Sequence, residues 1–193
     1  MKLLPISQAE IPLVAKWLGQ QENYQWLDFG NGRQIVDALI LKIMIQRADN
    51  HVRLFTTDHD DTPIGLVGFG NIALNFKTAN LWYVLGDRAH GQKGYTTKAV
   101  SRLLHFGFTT LGLESVSAWA IEDNHPSVRV LEHNHFRLVG RLRHSHRLDG
   151  QPVDRLLFDL MASEYRPVPD PPERRDVKMT KTDSFDGLMR PAG

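Results

Sequence analysis

Between Leu81 and Leu111 the spacing of apolar residues changes from strand-like to helical across one short glycine-bearing loop, and few architectures accommodate that change. Leu81-Trp82-Tyr83-Val84-Leu85 is a compact apolar run rich in β-favouring residues, and a polar loop follows from Gly86 to Gly94. Ala99, Val100, Leu103, Leu104, Gly107, Phe108 and Leu111 then share one face of a helix that begins near Tyr95 and stops at Gly112. A strand running through such a loop straight into a helix aims backbone N–H groups, and the positive end of the helix dipole, at one point. Gly91 and Gly94 let a ligand approach the backbone closely, and Arg88, His90 and Lys93 can add charge at the rim. The stretch predicts an anion site suited to a diphosphate. It is neither a P-loop, since no Gly-Lys-Ser/Thr follows, nor a dinucleotide fingerprint, since no Gly-x-Gly-x-x-Gly opens the first βα unit.

Around this unit the pattern predicts a strand over Leu3 to Ile6, a helix capped by Ser7 through Leu18, an aromatic loop over Asn23 to Gly32, and a helix from Arg33 to Arg47. Strands follow over Val52 to Thr57, Ile64 to Leu74 and Asn80 to Leu85. After the central helix come a strand over Ser115 to Ile121, a short helix over Pro126 to His133, and two strands, Arg137 to Arg147 and Val153 to Met161, joined at Asp149-Gly150. The order βααβββαβαββ predicts an α+β, or mixed α/β, domain with one sheet. From Arg166 onward prolines precede a polar stretch, so residues 1–165 are read as the domain and 166–193 as an extended tail, with packing on a second subunit as its sharper alternative.

A chain of 193 residues is long enough for one well-filled core. Lys plus Arg (23) nearly cancels Asp plus Glu (22), so no field gathers nucleic acid or anionic lipid, and neither partner is expected. The absence of cysteine excludes disulfides, zinc thiolates and a cysteine nucleophile. The most apolar window, Val36 to Ile45, is broken by Asp37 and Lys42, and a cytoplasmic, membrane-free protein is expected.

Gly94-Tyr95-x-Thr97-x-Ala99, the helix bearing Leu103, Leu104 and Phe108, Leu111-Gly112-Leu113, Asn124-x-x-Ser127-x-x-Val130-Leu131-Glu132, and finally Phe136 and Gly140, together resemble the GNAT acetyltransferases. The resemblance is to their branch of ribosomal-protein N-terminal acetyltransferases and related small-molecule enzymes, and spans roughly residues 3 to 165. It implies a mostly antiparallel sheet splayed between its fourth and fifth strands, helices on both faces, acetyl-CoA as cosubstrate without a metal, an amine acceptor, and a homodimer as the default assembly. In the register that keeps Tyr95, Thr97 and Ala99 in place, Gln92 takes the family's first loop glycine and Ala89 its Gln/Arg position.

The resemblance assigns the donor to Tyr83, Val84, Leu85, Ala89, His90, Gly91, Gln92, Lys93, Gly94, Tyr95, Thr96 and Asn124. Where many relatives carry a tyrosine acid this chain has Leu131; the resemblance to the ribosomal-protein branch, in which the serine of Asn-x-x-Ser is the suggested proton donor, implies that role for Ser127 beside Asn124, with pure helix capping by both as the alternative. Glu122 is the nearest candidate base, with Asp154 and Asp87 as alternatives. Tyr24, Trp26, Phe29 and Trp82 are candidates for the acceptor pocket, with core packing as the competing role. The pairs His133/His135 and His144/His146 have strand-like metal spacing, yet with no carboxylate in the pattern they read as surface histidines. A noncatalytic CoA sensor, or a scaffold without nucleotide, is the competing class of function.

Overall fold

The computed structural model describes residues 1–29 and 35–167. Its elements are β1 (Leu3–Leu4), α1 (Ile11–Leu18), α2 (Gln21–Tyr24), α3 (Ala38–Gln46), β2 (His51–Thr56), β3 (Pro63–Ala73), β4 (Thr78–Leu85), α4 (Tyr95–Thr109), β5 (Ser115–Ile121), α5 (His125–His133), β6 (Arg137–Leu148) and β7 (Gln151–Met161). The strands form one sheet in the order β1-β2-β3-β4-β5-β7-β6, antiparallel except between β4 and β5. The expected α+β class and single sheet are what the chain adopts.

Several boundaries differ for local reasons. Ser7 does not open α1; its amide donates to the Glu10 carboxylate at 2.8 Å while Glu10 N–H reaches Ser7 O at 3.3 Å, closing a separate turn before the helix starts at Ile11. Asn23 and Tyr24, read as loop, belong to the short helix α2, because the buried Asn23 amide donates to the Trp17 carbonyl at 2.9 Å and ties this turn to α1. The helix expected from Arg33 begins at Ala38, since Asp37 caps it through Leu39 N–H (2.9 Å) and Ile40 N–H (2.8 Å); Arg33 lies outside the described residues. The first strand ends at Leu4 rather than Ile6, and α4 ends at Thr109 ahead of Gly112.

Two apolar layers cover the two faces of the sheet. On one, α4 and α5 bring Ala99, Leu103, Leu104 and Leu131 onto Val67, Phe69, Leu81, Val116 and Phe158. On the other, α1 and α3 bring Val14, Trp17, Leu18 and Leu41 onto Val52, Leu54, Leu66 and Val84. A Cβ on Gly86 would lie 2.1 Å from the Trp17 indole, so glycine there lets α1 seat directly on the end of β4. None of the described helices is long and apolar enough to cross a membrane.

Candidate active site: a split sheet and a free helix N-terminus

The parallel seam between β4 and β5 is short. It pairs Thr78 with Ser115, Ala79 with Val116 and Asn80 with Ser117, and there it stops. Ser117 Oγ donates to Asn80 Oδ1 at 2.6 Å across the last pair. Beyond it β4 runs on to Leu85 bonded only to β3, while β5 runs on to Ile121 bonded only to β7. The edge of Trp82 to Leu85 that faces the gap is open to an extended ligand.

At the far end of β4 the chain makes a single 3-10 turn, Arg88–His90, capped by Asp87, whose Oδ1 accepts from Ala89 N–H at 3.0 Å. His90 Nδ1 lies 3.1 Å from Asp87 Oδ2, so this carboxylate, an alternative base by sequence, serves the turn. Gly91 leads into Gln92 and Gly94, whose φ angles of 60° and 77° are both left-handed. These are the two positions that the preferred register aligns with the family's loop glycines. Gly94 caps α4 without any side-chain bond, and a Cβ on it would meet nothing within 4 Å. Among the described residues no protein group accepts from the amides of Gln92, Lys93, Gly94, Tyr95, Thr96 or Thr97. Unpartnered amides at the start of a 15-residue helix fit a diphosphate. Tyr95 is buried beneath them, and Ala89, Gln92, Lys93 and Gly94 are exposed.

On the opposite bank, Asn124 caps α5, its Oδ1 accepting from Ser127 N–H at 3.3 Å. Ser127 Oγ donates to the Tyr83 hydroxyl at 2.8 Å, and that hydroxyl donates to the Ser127 carbonyl at 2.9 Å. Tyr83 therefore bridges from β4 to the helix after β5, over the gap. Burial pushes its phenol well above the usual range, so it stays protonated. The sequence pointed to Ser127 and placed Tyr83 only as a donor contact; the alternation that sends Tyr83 to the α5 face, with Trp82 and Val84 to the other, was the available signal for their pairing.

Glu122 follows β5, where Arg141 donates to its carboxylate; the same guanidinium also reaches Asp154 Oδ2 at 3.3 Å. Asp154 is held below the ordinary carboxylate range, chiefly by the His144 amide on its Oδ1 and then by Arg141. A second network was not legible in the sequence. Arg155 of β7 lies over the Trp119 ring at 4.3 Å, binds Asp28 at 2.5 Å, and approaches His146 Nδ1 at 3.2 Å; His146 Nε2 meets the Gln25 carbonyl at 2.8 Å. Asp28 precedes Phe29, whose ring stands edge-on to Trp82 at 5.5 Å. The segment Gln25 to Phe29 thus spans the gap from β7 to β4. Phe29 and Trp82 pack against the core, while half-buried Tyr24 and Trp26 belong to neither apolar cluster. His146 is buried rather than a surface histidine, because this network encloses it. His135 takes φ 65°, a left-handed conformation, at the turn that follows α5. Among the described residues no three His, Asp or Glu side chains gather as metal ligands.

Residues 1–137 match the family described as acetyltransferase (GNAT) domain. The chain belongs to the GNAT acetyltransferases. It is 30% identical over 138 residues to an uncharacterized N-acetyltransferase, p20, of Bacillus licheniformis, covering 72% of this chain and 76% of that protein. Among solved structures it is similar to a mutant form of the spermidine N-acetyltransferase SpeG from Vibrio cholerae (TM-score 0.74, 19% identity, 86% of this chain and 97% of that one). It is likewise similar to Mycobacterium smegmatis RimJ in complex with CoA-disulfide (TM-score 0.70, 21% identity, 84% and 82%). This GNAT chain is an acyl-CoA-dependent N-acetyltransferase that uses acetyl-CoA and acts on an amine.

Proposed function

We propose that the chain transfers acetyl from acetyl-CoA to a primary amine by direct attack within a ternary complex, and that the hydroxyl pair of Ser127 and Tyr83 provides the proton for the departing sulfur. The observation that carries this reading is the pair itself, joined at 2.8 Å across the opened strands. The donor supplies the activated acetyl thioester. The amides of Gln92 to Tyr95 hold its diphosphate, and the free edge of Tyr83 to Leu85 holds its arm as a surrogate strand. The amine lone pair attacks the carbonyl carbon, the C–N bond forms and the C–S bond breaks. Sulfur takes a proton through Ser127, and the nitrogen loses one to solvent.

A thiol of ordinary pKa about 8.5 leaves with modest help, so one hydroxyl donor suffices. Glu122 and Asp154 are engaged by Arg141, which favours an acceptor needing little base: an α-amine near pKa 7.7 to 8.0 rather than a lysine-like amine near about 10.4. The test is release of free CoA from acetyl-CoA across a panel of amines. Release that depends on the amine and falls in Ser127→Ala supports the reading. Thermal stabilisation by acetyl-CoA with no release for any amine identifies a sensor, and no stabilisation identifies a scaffold.

A further inference from the structure

The gap between the half-sheets is crossed on both faces. On the α5 face Tyr83 and Ser127 join over it. On the other face Gln25 to Phe29 makes the crossing, and a single side chain of β7 reaches both ends of that segment. Arg155 donates to Asp28 Oδ2 at 2.5 Å, and the same guanidinium lies 3.2 Å from His146 Nδ1, while His146 Nε2 lies 2.8 Å from the Gln25 carbonyl. A guanidinium only donates and a carbonyl only accepts, so His146 carries its proton on Nε2, accepting from Arg155 and donating to Gln25. A bulge in β6 between Leu142 and His146, with His144 at φ 51°, re-aims the strand there, and His146 is buried on a strand whose other residues are mostly exposed. Asp28 is thus held by the guanidinium directly and Gln25 through the imidazole.

Arg155 is itself seated on β5. It stands opposite Ile121, and its guanidinium lies over the Trp119 ring at 4.3 Å. Trp119 and Ile121 belong to the part of β5 beyond the seam, where only β7 pairs with it. Arg155 Nε is buried without a hydrogen-bond partner, so the guanidinium does not lie where its own bonding would be fullest; its seat on Trp119 and its reach to the segment fix where it lies. At the segment's other end Phe29 stands edge-on to Trp82 of β4. Trp82, Trp119 and the segment therefore frame this side of the opening. Half-buried Tyr24 and Trp26, at the start of the crossing, carry a hydroxyl and an indole N–H that make no hydrogen bond among the described residues.

We propose that Arg155 is a positioning residue for the transfer: through Asp28 and His146 it holds the Gln25 to Phe29 segment over the gap as the wall past which the amine reaches the thioester. This rests on the acetyl-transfer reading above. With the α5 face crossed by the hydroxyl pair, the amine enters on the segment's face, so loosening the segment weakens the acceptor and spares the donor. The test uses the full chain, acetyl-CoA and an amine that the wild type acetylates. The variants are Arg155→Gln, Asp28→Asn, their double, and Tyr165→Phe, which loses a hydrogen bond to the Ser101 carbonyl of α4 and controls for lost stability alone. Arg155→Gln and Asp28→Asn should each raise the acceptor KM about tenfold or more with the KM for acetyl-CoA held within about twofold, and the double should match the larger single, as expected of two groups in one contact. Tyr165→Phe should move neither KM. An acceptor KM unmoved in Arg155→Gln, equal rises in both KM values, or effects that multiply in the double variant overturn the proposal. If the wild type acetylates no amine, the transfer reading fails by itself, and amide hydrogen exchange decides the hold. The Trp26 and Leu27 amides donate to the Asn23 and Tyr24 carbonyls. Exchange there about tenfold faster in Arg155→Gln, with β3 unchanged, sustains the hold, and unchanged exchange removes it.

Discussion

Replacing Tyr83 by phenylalanine separates what the hydroxyl does for the fold from what it does for proton transfer. The change keeps the ring in place and deletes two bonds: the one donated to the Ser127 carbonyl at 2.9 Å and the one accepted from Ser127 Oγ at 2.8 Å. Each neutral bond contributes about 0.5–1.5 kcal/mol net, which makes the loss about 1–3 kcal/mol. At about 2–4 °C per kcal/mol for a chain of this size, Tm should fall by roughly 2–12 °C. Ser127→Ala removes only the second bond, because Tyr83 can still donate to the backbone carbonyl, and should cost about half as much. The kinetic order is the reverse. With Ser127 as the group facing sulfur, Ser127→Ala should lower kcat by about 10²-fold or more, and Tyr83→Phe by less, since it only loosens the serine. Calorimetry on both variants beside saturating thiol-release kinetics measures the two orders. Wild-type kcat in Ser127→Ala would show that the hydroxyl is a cap and nothing else. The raised phenol adds a pH signature: stability from the protonated form is complete below the unfolded pKa of about 10 and is lost as pH rises beyond it, so the alkaline limb should be steeper in the wild type than in Tyr83→Phe.

Gly94→Ala places a Cβ at φ 77° in open space above the loop amides; it should cost about 1 kcal/mol or more in stability and raise the KM for acetyl-CoA well above that for the amine. Arg155→Gln removes the guanidinium bonded to Asp28 and stacked on Trp119, and should lower stability by about 1–3 kcal/mol and raise the acceptor KM with little change in that of acetyl-CoA, measured by denaturant melts and initial rates. His51, stacked on Phe106 at 4.4 Å, has its pKa lowered to about 4 by burial and then by Arg53. Its contribution is therefore present above the unfolded value of about 6.5 and lost as pH falls through 4; an NMR titration of its ring should give that midpoint, and His51→Phe should flatten stability across the window.

The fold was legible where period and punctuation agree. The change from strand to helix around Gly86 to Tyr95 and the Asp149-Gly150 turn lie where the pattern put them. Ser7 misled because a serine followed three residues later by glutamate closes an isolated turn as readily as it opens a helix. Asp37 was the truer cap, hidden inside a run read as already helical. In the site, attention fell on Ser127 and Asn124 through the family resemblance of their motif, but the Tyr83 bridge depends on strand direction across a gap, which only the three-dimensional register reveals. The Asp28–Arg155–His146 network joins residues more than a hundred positions apart, and the bulge at His144 breaks the alternation from which strand faces are inferred. No local pattern encodes either.

The three-pair seam between β4 and β5 has a mechanical meaning. Two slabs hinged along one short edge twist more easily against each other than a fully laced sheet does. Under the proposed function a donor along the free margin of β4 would act as the missing lace, and at about 100 times its Kd it should add about 2.7 kcal/mol to the folded state. Amide hydrogen exchange should then slow along Trp82 to Leu85 as acetyl-CoA is added. On this reading the loaded chain is stiffer than the empty one, and torsional play returns only once CoA has left the margin.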